Sequence, residues 1–296
     1  MERKHWKSYV QVREGSLLKF DYPEEGFNRP SWQRPPTRKG YQGEVTDQTR
    51  KRIITAVDIL LQLNPNRRLW NPIIQKEHDF RVSFATLTIT DQIRPKTEEC
   101  NEALAEFLRH FKRPWRRNQL SETLKEYVWK LELQDRGTPH YHITSGQFLH
   151  HVELNKIWNR IQEKRGWMDN FKAREGHNKP NSTDIHAVWE VKNLGGYISK
   201  YMGKKAFMDT SEMGFPMPVT PIMMGGKIWG CSEGLRGKKR FTAEMDRYTW
   251  EKLKASIDFQ VVEPIEFERC TIYRGAGKQE LSLKNAKDYG IYLSQF

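Results

Sequence analysis

Apolar residues recur at helical spacing after Thr46 and Asp47, at Ile53, Val57, Leu60 and Leu61, and the run stops at Asn64 and Pro65. A short polar side chain caps such a stripe and proline ends it, so a helix packed on one face is predicted. Residues 81–90 change to a two-residue period rich in β-branched side chains. That pattern predicts a strand with Leu87 and Ile89 on one face and Thr86 and Thr88 on the other. The helical period returns at Leu104, Phe107, Leu108 and Phe111, and Pro114 closes this second helix. Two alternating runs, 127–134 and 138–145, flank Asp135, Arg136 and Gly137, which is a hairpin signal. A third helix carries Leu154, Ile157, Trp158 and Ile161. After a loop around 174–183 come a strand over 185–191 and a helix beginning near Leu194. Strand, helix, hairpin, helix, strand and helix in this order predict an α+β fold, a central antiparallel sheet with flanking helices.

The flanks read differently. Residues 1–45 are polar and interrupted by Pro23, Pro30, Pro35 and Pro36, which predicts an extended basic arm. The α+β domain is assigned to 46–207, with its core at 81–205, and 208–296 to an α/β extension packed on it. In that extension lie a segment at 227–232, a basic turn at 236–240, a helix near 242–255 and two strand-like runs. No internal repeat appears. Gly277 and Lys278 do not make a phosphate-binding loop, because Ile272 replaces its first glycine and Gln279 its Ser/Thr. An ATP-driven motor is not evident.

Charge adds a partner to this picture. Fifty Lys and Arg against 37 Asp and Glu give a net charge of +13, which favours a polyanion such as nucleic acid. Lys112, Arg113, Arg116 and Arg117, and again Lys238, Lys239 and Arg240, form clusters suited to phosphate contacts. There is no apolar run of about 18 residues and no signal-peptide core, so a soluble cytoplasmic protein that does not engage membrane is expected. Cys100, Cys231 and Cys270 are too few and too scattered for a disulfide framework or a cysteine metal site.

Two segments carry chemistry. In Pro139-His140-Tyr141-His142-Ile143 the strand period turns both imidazoles to one face and Tyr141 to the other. Glu132 and Gln134, on the partner strand, each offer an oxygen that would complete a facial set of three ligands, with positions left open for substrate. Such ligands suit Mg²⁺ or Mn²⁺ acting on a phosphate. The second segment, Gly195 to Lys204, places Tyr197 and Tyr201 on one face of a helix, each followed three residues later by a lysine, Lys200 or Lys204. A phenolate attacking phosphorus needs such a neighbouring positive charge. His186, His150 and His151 are read as packed or exposed side chains without a role.

The Thr strand, the His pair and the Tyr-x-x-Lys helix, in this order, resemble the His-hydrophobe-His rolling-circle replication initiators, or HUH endonucleases. The resemblance covers 81–205, and the segment Gly226 to Ser232 is similar to one in initiators of small plasmids and single-stranded DNA phages. It implies a palm like that of RNA-recognition motifs and favours Glu132 over Gln134 as third metal ligand. Thr86 and Thr88 would face the DNA backbone. The pair Tyr197 and Tyr201 resembles the two-tyrosine branch, in which one tyrosine cleaves and the other resolves the next strand. The implied activity is nicking and rejoining of single-stranded DNA at an origin, which can be a hairpin, with a host helicase and polymerase as partners. The same residues would serve a two-tyrosine transposase. A non-catalytic single-strand binder with a structural metal is the alternative of another class.

Overall fold

The computed structural model describes residues 6–13, 16–23, 46–71, 75–91, 93–113, 121–134, 137–188, 227–238, 242–255, 262–267 and 270–275. In chain order the elements begin with β1 (Trp6–Arg13), β2 (Ser16–Pro23), α1 (Asp47–Leu63), β3 (Arg67–Asn71), β4 (Lys76–Phe80) and β5 (Val82–Thr88). Next come α2 (Thr97–Lys112), β6 (Tyr127–Leu133), β7 (Pro139–Ser145), α3 (His151–Glu163), α4 (Asp169–Glu175) and β8 (Thr183–Val188). The last are β9 (Trp229–Cys231), a single 3-10 turn at Glu233–Leu235, β10 (Thr242–Glu244), α5 (Arg247–Ala255), β11 (Val262–Phe267) and β12 (Cys270–Gly275). The architecture is α+β with antiparallel sheets. Two compact units are formed, one by residues 46–188 and 227–236, the other by 6–23 and 237–275.

The larger unit is built on the five-stranded sheet β8-β5-β7-β6-β9, antiparallel throughout. Its register sets Leu87 opposite Tyr141 and Tyr141 opposite Leu131, with Ala85, Ile143 and Trp129 aligned one step along. These six side chains are buried. On this face α2 closes over the sheet, and the Tyr141 hydroxyl donates to Asn101 Oδ1 at 3.2 Å. Phe107 of α2 meets the Trp158 ring of α3 edge-on at 6.0 Å, and the Trp158 indole N–H donates to the Thr88 carbonyl at 2.8 Å. The core of the unit therefore lies between helices and sheet, where burying each large apolar side chain contributes about 1.5–3 kcal/mol.

Local chemistry accounts for the ends of α1. Thr46 Oγ1 accepts from the Thr49 amide at 3.2 Å, which satisfies one of the first-turn donors. At the other end the Arg81 guanidinium donates to the carbonyls of Leu61 and Asn64, at 2.9 and 3.0 Å. A cation there complements the negative end of the helix dipole, which α1 lacks in its own last turn. In the β6–β7 turn, Gly137 has φ +76°, a conformation that favours glycine, and its amide donates to the Gln134 carbonyl.

Two expectations are corrected. Residues 6–23, read as part of an extended arm, form the hairpin β1–β2, which takes the centre of the second sheet, β10-β1-β2-β12-β11. The prolines and charges of 1–45 obscured a short apolar set, Val10, Leu17 and Leu18, that is buried there. Tyr9 and Phe20 are register partners and stack at 5.9 Å, while Trp250 of α5 lies 5.5 Å from Tyr273. The second correction concerns 227–235, assigned by sequence to the C-terminal extension. Its strand β9 pairs with β6 in the larger sheet. Gly230 lies against Trp129, where a Cβ would come within 2.8 Å of the indole nitrogen, so a larger residue would push the edge strand away.

Candidate metal centre

The sheet face opposite the Tyr141 layer carries the polar set. Strand alternation and register put Glu132 directly across from His140 and Lys130 across from His142. On the other side of β7, Thr88 faces His140 and Thr86 faces His142. The burial of Leu131, Tyr141 and Leu87 fixes this arrangement, since a one-residue slip of any strand would exchange its two faces.

Among the described residues, Glu132, His140 and His142 form the group of ionisable side chains whose ligand atoms converge within 4.8 Å. The two Nε2 atoms are 2.9 Å apart, and Glu132 Oε2 lies 3.2 Å from that of His142 and 3.7 Å from that of His140. Two donors held at right angles about 2.1 Å from one ion stand about 3.0 Å apart, so the three atoms fit one face of an octahedron. The donor set, two imidazole nitrogens and one carboxylate oxygen, suits a divalent ion with open positions.

The surroundings orient these ligands. Thr86 Oγ1 is 3.2 Å from His142 Nδ1, and with Thr86 accepting there the proton sits on Nδ1 and the Nε2 lone pair points to the centre. The Phe84 ring stacks on His142 at 5.3 Å and fixes its plane. Lys130, fully buried, makes an ion pair with Glu132 Oε1. Burial alone would push the Glu132 carboxyl up, but the hydrogen bond to His142 and the Lys130 charge hold it at about 2, so it is a ready anionic ligand.

The other residues singled out by sequence divide into three groups. Gln134 lies beyond the end of β6, where its backbone closes the hairpin with Thr138 and Gly137. Thr86 and Thr88 are half-buried on the centre's face. Lys112 and Arg113 are exposed at the end of α2, the Lys112 ammonium 5.0 Å from the Tyr127 ring, and Lys238 is half-buried in the other unit. Tyr197, Lys200, Tyr201, Lys204, Arg116, Arg117, Lys239 and Arg240 lie outside the described residues. Tyr141 is set apart from any nucleophile: it is buried on the opposite face, and burial pushes its hydroxyl well above the usual range. Sequence reasoning missed Lys130, although the same two-residue period that places Glu132 places Lys130 beside it.

No helix among the described residues is long and apolar enough to cross a membrane. Neither the curated proteins nor the solved structures include a match to this chain. Residues 82–206, which contain the strand with Thr86 and Thr88, the Glu132–His140–His142 cluster and the Tyr-x-x-Lys segment, do match a family. That family is Replication-associated protein ORF2, and the match is the one a rolling-circle replication initiator would give.

Proposed function

We propose that the protein is an endonuclease that nicks single-stranded DNA at a replication origin and rejoins it through tyrosine transesterification. The observation that carries this reading is the convergence of Glu132, His140 and His142 on one sheet face, within a family match that extends through Tyr197 and Tyr201. A Mg²⁺ or Mn²⁺ held by the three would act as a Lewis acid on the scissile phosphate. Thr86 and Phe84 keep the His142 ring in place, and Lys130 keeps the Glu132 carboxylate ionised.

Tyr197 or Tyr201 supplies the nucleophile. Its phenolic oxygen forms a bond to phosphorus as the bond from phosphorus to the 3′ oxygen breaks; the phenol gives up a proton and the leaving 3′ oxygen takes one. Lys200 and Lys204 stabilise the charge on the attacking oxygen. The products are a 5′-phosphotyrosyl protein and a free 3′-OH, which primes a host polymerase. Because the phosphodiester energy stays in the phosphotyrosine, the second tyrosine can resolve the next strand without ATP. Strand separation then falls to a host helicase in the cytoplasm. Thr86 and Thr88 on the metal face, with Lys112, Arg113, Arg116, Arg117, Lys238, Lys239 and Arg240, hold the DNA backbone.

The test is incubation with Mn²⁺ and labelled single-stranded oligonucleotides from the protein's own replicon. SDS-resistant adducts should form, persist in Tyr197→Phe and in Tyr201→Phe, and vanish in the double variant. Adducts on transposon ends and on no origin would turn the assignment to transposition. Their absence on every substrate, with DNA binding retained, would leave a binder with a structural metal.

A further inference from the structure

Lys130 has no part in the chemistry above beyond its charge, yet it is a lysine with 0% of its surface exposed, in the middle of a central strand. An ammonium taken out of water costs several kcal/mol unless a counter-charge meets it, so a buried lysine is kept only where its partner is fixed. That partner is Glu132, two residues along the same face. The contact is made by Oε1, whereas Oε2 is the oxygen turned to the two imidazoles, 3.2 Å from His142 and 3.7 Å from His140. The carboxylate is divided, with one oxygen committed to Lys130 and one left for the centre. The strand register adds a wall on either side of the ammonium, His142 on β7 and Trp229 on β9.

From this division we infer that Lys130 is a positioning residue that holds Glu132 as a one-oxygen ligand and so makes the centre select small octahedral cations, Mg²⁺ and Mn²⁺, over Ca²⁺. The inference rests on the reading of Glu132, His140 and His142 as a metal centre. Two properties follow from the arrangement. Ca²⁺ takes six to eight oxygens at about 2.3–2.6 Å and readily uses both oxygens of a carboxylate, whereas Mg²⁺ keeps near-octahedral geometry at about 2.0–2.1 Å. Committing Oε1 to Lys130 removes the ligand that Ca²⁺ would add and takes nothing from Mg²⁺. The ammonium also balances the carboxylate charge. The bound dication is thereby left with more of its charge to act on a phosphate, at the cost of weaker binding overall.

The test is calorimetric titration of Mn²⁺ and Ca²⁺ into the full chain without DNA, for the unmodified protein, Lys130→Met and His140→Ala. Methionine keeps the length and apolar stem of lysine and removes the charge. Both ions should bind Lys130→Met more tightly, with Ca²⁺ gaining about tenfold or more relative to Mn²⁺ as the second carboxylate oxygen becomes available. A merely structural lysine would change folding stability and leave the Ca²⁺-to-Mn²⁺ ratio where it was; that result overturns the inference and spares the metal centre. Mn²⁺ binding that is equal in the unmodified protein and in His140→Ala overturns the centre itself, and the role of Lys130 with it. Should Lys130→Met not fold, a crystal structure of the unmodified protein with Mn²⁺ decides. One Glu132 oxygen on the ion and the other on Lys130 supports the assignment, and two oxygens on the ion overturn it.

Discussion

The two faces of the β5–β7–β6 layer are made from the same three strands and from alternate residues, yet they do opposite things. One face, Leu87, Tyr141, Leu131, Ala85, Ile143 and Trp129, is apolar and closed by α2. The other, Thr86, Thr88, His140, His142, Lys130 and Glu132, gathers hydroxyls, imidazoles, an ammonium and a carboxylate. The difference separates stability from chemistry residue by residue. Tyr141 and His142 are neighbours in the chain, but one anchors the sheet to α2 and the other belongs to the candidate centre. The apolar face also does positional work for the polar one, because its burial sets the register that brings His140 opposite Glu132.

This contrast can be broken from either side. The largest expected effect is on the polar face: His142→Ala should reduce Mn²⁺-dependent adduct formation to background while DNA affinity, carried largely by Lys and Arg contacts, is mostly retained. Gel-shift and adduct assays on the same oligonucleotide read the two quantities. Next comes Tyr141→Ala, which empties a buried aromatic site and should cost about 3–5 kcal/mol in denaturant unfolding, with Mn²⁺ affinity unchanged under conditions where the protein stays folded. Equal losses of stability in His142→Ala and Tyr141→Ala would mean that the faces are not divided in this way. The smallest effect sharpens the picture within the polar face. Thr86→Val removes the oxygen beside His142 Nδ1 and should weaken Mn²⁺ binding about 10–100-fold with little change in melting temperature. An unchanged affinity would show that Phe84 stacking alone orients the ring.

Much of the larger unit was legible because its signals are local. Thr46 and Asn64 bound α1 as their side chains suggest, Gly137 sits in the turn it marks, and the alternation of 139–145 is enough to put His140 and His142 on one face. The approach of Glu132 was legible too, since a hairpin fixes which residues face each other. What escaped was non-local. The pairing of β9 with β6 joins residues about a hundred positions apart, and no periodicity within 229–231 announces it. In the β1–β2 hairpin, only the contacts with β10 and β12 reveal that Val10, Leu17 and Leu18 have a core to enter. Lys130 escaped for another reason: lysine is read as solvated by default, and only the closed surroundings of β6 make it part of the site.

The position of β9 bears on how the protein is made. The sheet that carries the candidate centre gains its last strand only after residue 231 has been synthesised, whereas β6, β7 and β8 are complete by residue 188. Until then β6, the strand bearing Glu132 and Lys130, is an outer strand with unpaired backbone groups, the arrangement most open to pairing with another chain. A recombinant fragment cut at the end of the family match, residue 206, would keep that open edge for good and should aggregate. One carried through Leu235 closes it, so the smallest stable piece of this molecule is longer than its most recognisable one.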